Sequence, residues 1–287
     1  MGSDILYYIQ ETDKPNFFLN LFNIVKLQND NIILPICGDS DITYKKALIL
    51  AKKINYILNK TNCRTVLISK KMKQKQQFIN FLYSYNLNII DSKWLFEVLA
   101  EKSLNYIIDK KKIKKQEMHL SILVNDPSEI TLETINKLVR QYKRVNIVTN
   151  HIEKFKKIEE KMLEEEGITL IVNNNKRKSL LKSELILNID FPTELINQYR
   201  IYDEAIIINV KEKIKINKKR FNGININDYE IKFGNIEEID YEKFEKFYKK
   251  DIYEAKTYKK QPYEDIIRKI KRDKVEIAQL KSENTTF

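Results

Sequence analysis

Short apolar runs rich in Ile, Val and Leu alternate along this chain with longer segments whose apolar residues recur at helical spacing. Parallel strands buried on both faces need such runs, and each parallel pair needs a crossover between its members. The alternation therefore predicts parallel sheets flanked by helices. In the first half, Asp4–Gln10, Asn31–Cys37 and Arg64–Lys70 read as strands, followed by the short run 88–90. Helical spacing spans 16–28, 44–60, 73–86 and 91–102, with Trp94, Leu95, Val98 and Leu99 on one face of the last.

The second half repeats the pattern. Strands are expected at Leu120–Asn125, Arg144–Asn150, Ile168–Asn174, Glu184–Asp190 and Ala205–Val210, with helices or short helical segments between them. Right-handed crossovers then imply an open, doubly wound sheet. Around Gly223 one or two exposed β segments are expected. After Gly234 the chain turns charged and tyrosine-rich, and beyond Pro262 a final amphipathic helix would place Ile266, Ile270, Ile277 and Leu280 on one face. The expected architecture is two Rossmann-like three-layer α/β modules with parallel sheets, plus a helical C-terminal extension. The corresponding domains are 1–110, 117–233 and 234–287, with the basic run 110–116 as a connector.

Composition narrows the chemistry. No stretch offers the roughly 20 apolar residues of a membrane span, and the N-terminus lacks a secretory leader, so the expectation is a cytoplasmic protein with no membrane partner. Two cysteines, Cys37 and Cys63, are too few for a disulfide framework or a cysteine-built zinc site, and no metal is expected. The net charge of +12 invites nucleic acid as a partner, but lysine far outnumbers arginine, the residue that reads base edges.

In a doubly wound sheet, ligands bind beyond the carboxyl ends of the strands where strand order reverses. The candidate binding residues are therefore Asn125, Asp126, Ser128 and Glu129 after the first strand of the second half, Asn150 and His151 after the second, Asn173 after the third and Asp190 after the fourth. The order of elements over 120–210, carried by "SILVNDPSEITLETINKLVRQYKRVNIVTNHIEKFKKIEEKM" and "ITLIVNNNKRKSLLKSELILNID", resembles the nucleotide-binding domain of the glutamyl-tRNA reductase and shikimate dehydrogenase group. That resemblance implies an NAD(P) site with a glycine-rich turn after the first strand. Here the turn is Asn125–Glu129 and has no glycine. Asp126 and Glu129 put negative charge beside a diphosphate, and Ser128 is suited to cap the following helix itself. Asn150 is equally suited to cap the helix after the second strand.

Three functions fit. The first is a degenerate or non-catalytic dehydrogenase-like protein that needs no cofactor and acts by binding a small ligand, or a protein partner through its tail. The second is an NAD(P)-dependent oxidoreductase with its cofactor over Ser128 and the Asn150–His151 turn. The third is a basic nucleic-acid-binding accessory protein.

Overall fold

The computed structural model describes residues 6–14, 16–142, 144–234, 244–257 and 262–282. They divide between two compact units, one within Met1–Ser92 and Glu237–Lys260, the other within Lys93–Ile236 and Gln261–Phe287. Part of the charged stretch read as helical from Gly234 onward lies outside the described residues.

The first unit opens with β1 (Leu6–Glu11) and α1 (Phe17–Leu21), then β2 (Lys26–Gln28) and β3 (Asn31–Leu34). Next come α2 (Tyr44–Lys60), β4 (Thr65–Ile68), α3 (Lys70–Lys73), α4 (Gln76–Ser84) and β5 (Asn88–Ile89). Its sheet runs β2-β3-β1-β4-β5, parallel except for β2. The helix expected over 16–28 is shorter. Asn23 turns left-handed at φ 51° and ends it, and Lys26–Gln28 pairs back on β3 through a two-residue Asn29–Asp30 turn with Asn29 also at φ 51°. Ile9, Ile32, Leu34 and Ile68 pack with Leu50, Ile54 and Leu58 of α2 and Phe78 and Leu82 of α4, all fully buried. Each such side chain contributes about 1.5–3 kcal/mol.

The second unit begins with α5 (Lys93–Val98) and α6 (Ala100–Lys111), followed by β6 (His119–Leu123), α7 (Glu129–Val139), β7 (Arg144–Val148), α8 (Ile152–Glu166) and β8 (Leu170–Asn173). It continues with β9 (Leu185–Asn188), α9 (Thr193–Ile196), β10 (Ile206–Asn209) and β11 (Ile224–Lys232). The chain then gives α10 (Lys249–Thr257) to the first unit, where the buried Asp251 accepts from Lys73 Nζ at 2.6 Å and from the Ser92 hydroxyl. It returns to the second unit with α11 (Tyr263–Arg272) and β12 (Glu276–Ser282).

The second sheet runs β8-β7-β6-β9-β10-β11-β12, with only the β11–β12 pair antiparallel. Its first six strands in chain order thus lie 3-2-1-4-5-6, the order of a dinucleotide-binding sheet, and the order reverses between β6 and β9. β9 and β10 are buried at every position, as a sheet covered on both faces requires.

Two elements of the second unit depart from the sequence reading. The β segment after Gly223 is the sixth parallel strand and is partly buried rather than exposed. The final helix stops at Arg272, and Glu276–Ser282 is a strand. Ile277 pairs with Ile231 and Gln279 with Glu230, so Ala278 is an extra, bulged residue. That bulge resets the two-residue alternation and lets Ile277 and Leu280, three apart, both be buried. A spacing that reads as helical is thereby met by a bulged strand.

Among the described residues no helix is long and apolar enough to cross a membrane.

Candidate functional site

The turn after β6 and the end of β9 face each other across the reversal point of the second sheet. β6 ends on buried Leu123, buried Val124 follows it, and the backbone N–H groups of Asn125 and Asp126 emerge toward β9. There they meet a carboxylate. Asn125 N–H donates to Asp190 Oδ1 and Asp126 N–H to Asp190 Oδ2, each at 2.8 Å. A chelated acid on paired amides is the arrangement a phosphate oxygen pair would otherwise adopt at this position.

The rest of the turn is also internally satisfied. Asn125 Oδ1 accepts from Asn150 N–H at 2.9 Å, which ties the ends of β6 and β7 together. The Asp126 carboxylate receives Lys154 Nζ of α8 at 2.6 Å. That hydrogen bond, with the lysine's charge and a smaller contribution from His151, holds the Asp126 carboxyl below the usual carboxylate range. Ser128 caps α7 by accepting from Thr131 N–H at 3.1 Å. The Ser128 and Thr131 hydroxyls both donate to one oxygen, Oε1, of Glu97 on α5. Glu97 is only 5% exposed, and its other oxygen lies 3.7 Å from Lys211 Nζ.

The structure thus brings Asn125, Asp126, Asn150 and Asp190 into one hydrogen-bonded cluster, with His151 and Lys154 at its margin. Glu129 stands exposed in the first turn of α7. Asn173 ends β8, where its side chain accepts from the Ser179 hydroxyl and its carbonyl from Thr149 N–H at 3.1 Å. Asn150 does not cap α8. That position falls to His151, whose side chain makes no capping bond, while Thr149 Oγ1 accepts the His151 N–H at 3.0 Å.

Glu97 was missed from sequence. Its signal is an acid inside the apolar run "WLFEVLA", where every residue from Leu95 to Ala100 is buried. The amides of Asn225 and Asn227, in "ININ" at 224–227, were missed as well. Asn188 donates to Asn209 Oδ1 at 3.0 Å, Asn209 donates to Asn225 Oδ1 at 2.7 Å, and Asn227 Oδ1 accepts from Ile214 N–H at 2.8 Å. This chain of amides, next to the carboxyl ends of β9 and β10, pins the helix-free connection between β10 and β11 to the sheet.

Among the described residues no group of three or more His, Cys, Asp or Glu side chains could hold a metal ion.

No protein-family model and no curated protein matches the chain. Solved structures similar to it include L-tryptophan dehydrogenase from Nostoc punctiforme, at 6% identity over 76% of this chain and 66% of that one, with a TM-score of 0.34. Hetero-hexameric glutamate dehydrogenase from Thermus thermophilus, in its Leu-bound form, gives 6% identity over 85% and 64%, with a TM-score of 0.35. Ornithine carbamoyltransferase from Pyrococcus furiosus gives 11% over 75% and 73%, at 0.29. The chain spans less than two thirds of the length of either dehydrogenase. At these TM-scores the likenesses bear on neither substrate nor reaction.

Proposed function

We propose that this is a cytoplasmic, non-catalytic protein of dehydrogenase-like architecture whose dinucleotide crevice is closed by its own carboxylate, and which acts by binding a small ligand or a protein partner. The observation that carries this reading is the chelation of Asp190 by the Asn125 and Asp126 amides. A dinucleotide would need those amides for its diphosphate, and it would bring two negative charges against Asp190. At 5 Å and an effective dielectric of 20, each such repulsion is about 3 kcal/mol. The amides offer a diphosphate no more than they already give to Asp190, so the exchange is unfavourable. Glu97 and Ser128 support the same reading, because the N-terminus of α7 is already capped internally.

The competing reading, an NAD(P)-dependent oxidoreductase, is favoured by the strand order, since sheets of this order bind dinucleotides at the reversal point. Hydrogen exchange decides between them. With millimolar NADH or NADPH, the amides of 121–131 should exchange as in the free protein, and in Asp190→Ala the Asn125 and Asp126 amides should exchange at least about tenfold faster. Protection of 121–131 by either dinucleotide in the native chain would overturn the proposal.

A further inference from the structure

The segments leading into β9, β10 and β11, three neighbouring parallel strands of the second unit, gather around a cavity of about 550 Å³. Its wall carries six cations, Lys176, Arg177, Arg200, Lys218, Lys219 and Arg220, against a single acid, Asp203. Three of the eight arginines of the chain are among them. They arrive from well-separated stretches, "KRK" at 176–178, "YR" at 199–200 and "KKR" at 218–220, so their convergence is a product of the fold and not of one basic run. Arg200 N–H donates to the Lys176 carbonyl at 2.7 Å, which joins two of the three segments directly.

None of the six cations forms an ion pair with a described carboxylate. Elsewhere some lysines and arginines of this protein do so, as Lys154 does with Asp126 and Arg140 with Glu166. Six like charges on one concave wall repel each other, and the natural relief is an anion. Guanidinium groups match phosphate in particular, because their planar fork donates two parallel hydrogen bonds to it. The wall also holds the rings of Tyr202 and Phe221, with Tyr199 fully buried behind them against Phe191. The Tyr199 hydroxyl is buried with no partner among the described residues. The volume is that of a small-molecule site.

From this we infer a second site, separate from the β6–β9 crevice, that binds a small organic polyphosphate of nucleoside triphosphate size, with the arginines on the phosphates and the rings against the remainder. It does not depend on the reading of the crevice, since no residue of the Asn125–Asp190 cluster lines it.

Calorimetric titration of the full chain with sodium tripolyphosphate, ATP and a single-stranded RNA dodecamer, at low salt, tests it. Tripolyphosphate and ATP should bind saturably and compete with each other. Arg200→Gln and Arg220→Gln should each weaken both by about tenfold, the scale of one charge-assisted hydrogen bond. Both arginines are exposed, so the variants should melt with the native chain in phosphate-free buffer. Lys52→Gln, in the first unit, should change neither affinity. Tighter binding of ATP than of tripolyphosphate would support the role of the rings, and equal binding would still support a phosphate site. The inference fails if neither anion binds by 1 mM, if Arg200→Gln and Arg220→Gln combined in one chain leave binding as in the native chain, or if RNA binds and the two small anions do not displace it.

Discussion

Replacing Glu97 by alanine removes the one oxygen on which Ser128 Oγ and Thr131 Oγ1 converge. Hydrogen bonds to a charged acceptor are worth about 1.5–3 kcal/mol each, and a buried hydroxyl left without a partner costs a similar amount. Thr131 is 1% exposed and cannot turn to water, while Ser128 keeps its bond from Thr131 N–H. With the cavity left by the side chain, Glu97→Ala should destabilise the second unit by roughly 3–5 kcal/mol. Glu97→Gln should cost only about 1–2 kcal/mol, because its amide carbonyl can still accept both hydroxyls and only the charge is lost. The partner at 3.7 Å, Lys211, is partly exposed, so Lys211→Ala should cost less than about 1 kcal/mol. Trp94 is the only tryptophan and sits on the same helix, so urea unfolding followed by its fluorescence reports this unit. If Glu97→Ala costs under about 1 kcal/mol, or if the glutamine and alanine variants are equal, Glu97 is not the acceptor that holds the start of α7.

Other perturbations test other parts of the structure. A Cβ at Gly223 would come 2.1 Å from the Ala205 carbonyl oxygen and 2.8 Å from the Phe221 ring, so Gly223→Ala should break the Ile224 N–H bond to Ala205. A loss of about 3 kcal/mol or more is expected in chemical unfolding, and near-neutral behaviour would mean that β11 does not approach β10 as described. The Asp126 carboxyl should titrate by carbon NMR below its ordinary value, and Lys154→Ala should return it toward that value. The sign follows from the lowered folded-state pKa: the stabilisation is present above the ordinary carboxyl pKa and fades as pH falls through the folded value. In the first unit, Asp251→Ala removes the carboxylate to which Lys73 and the Ser92 hydroxyl donate, and about 3 kcal/mol of stability should go with it; an unchanged melting temperature would refute the role of the pair in holding α10.

The parallel α/β class was legible in the apolar runs because a strand buried on both faces has no polar alternate to hide it, as Ile206–Asn209 illustrates. The end of β6 before Asn125 and Asp126 was legible too, because the apolar run stops there. Four things were not. The hairpin strand Lys26–Gln28 carries no buried side chain, so no periodicity marks it, and only Asn29 and Asp30 hint at the turn. The bulge at Ala278 converts strand alternation into a three-residue spacing that imitates a helix. Within the candidate site, Asp190 looked like one more polar strand end, and nothing local reveals that its carboxylate reaches two amides sixty-four and sixty-five residues earlier. The basic cavity was hidden for the same reason, because its cations lie in three separate segments that only the fold brings together.

The amide resonances of Asn125 and Asp126 test the central claim most directly. In the native protein their protons should lie downfield, as amides bonded to a carboxylate do, and should not move when NADH is added to millimolar concentration. In Asp190→Asn both should move upfield. A saturable shift of the two native resonances with NADH would show that the crevice opens to a dinucleotide, and would contradict the account.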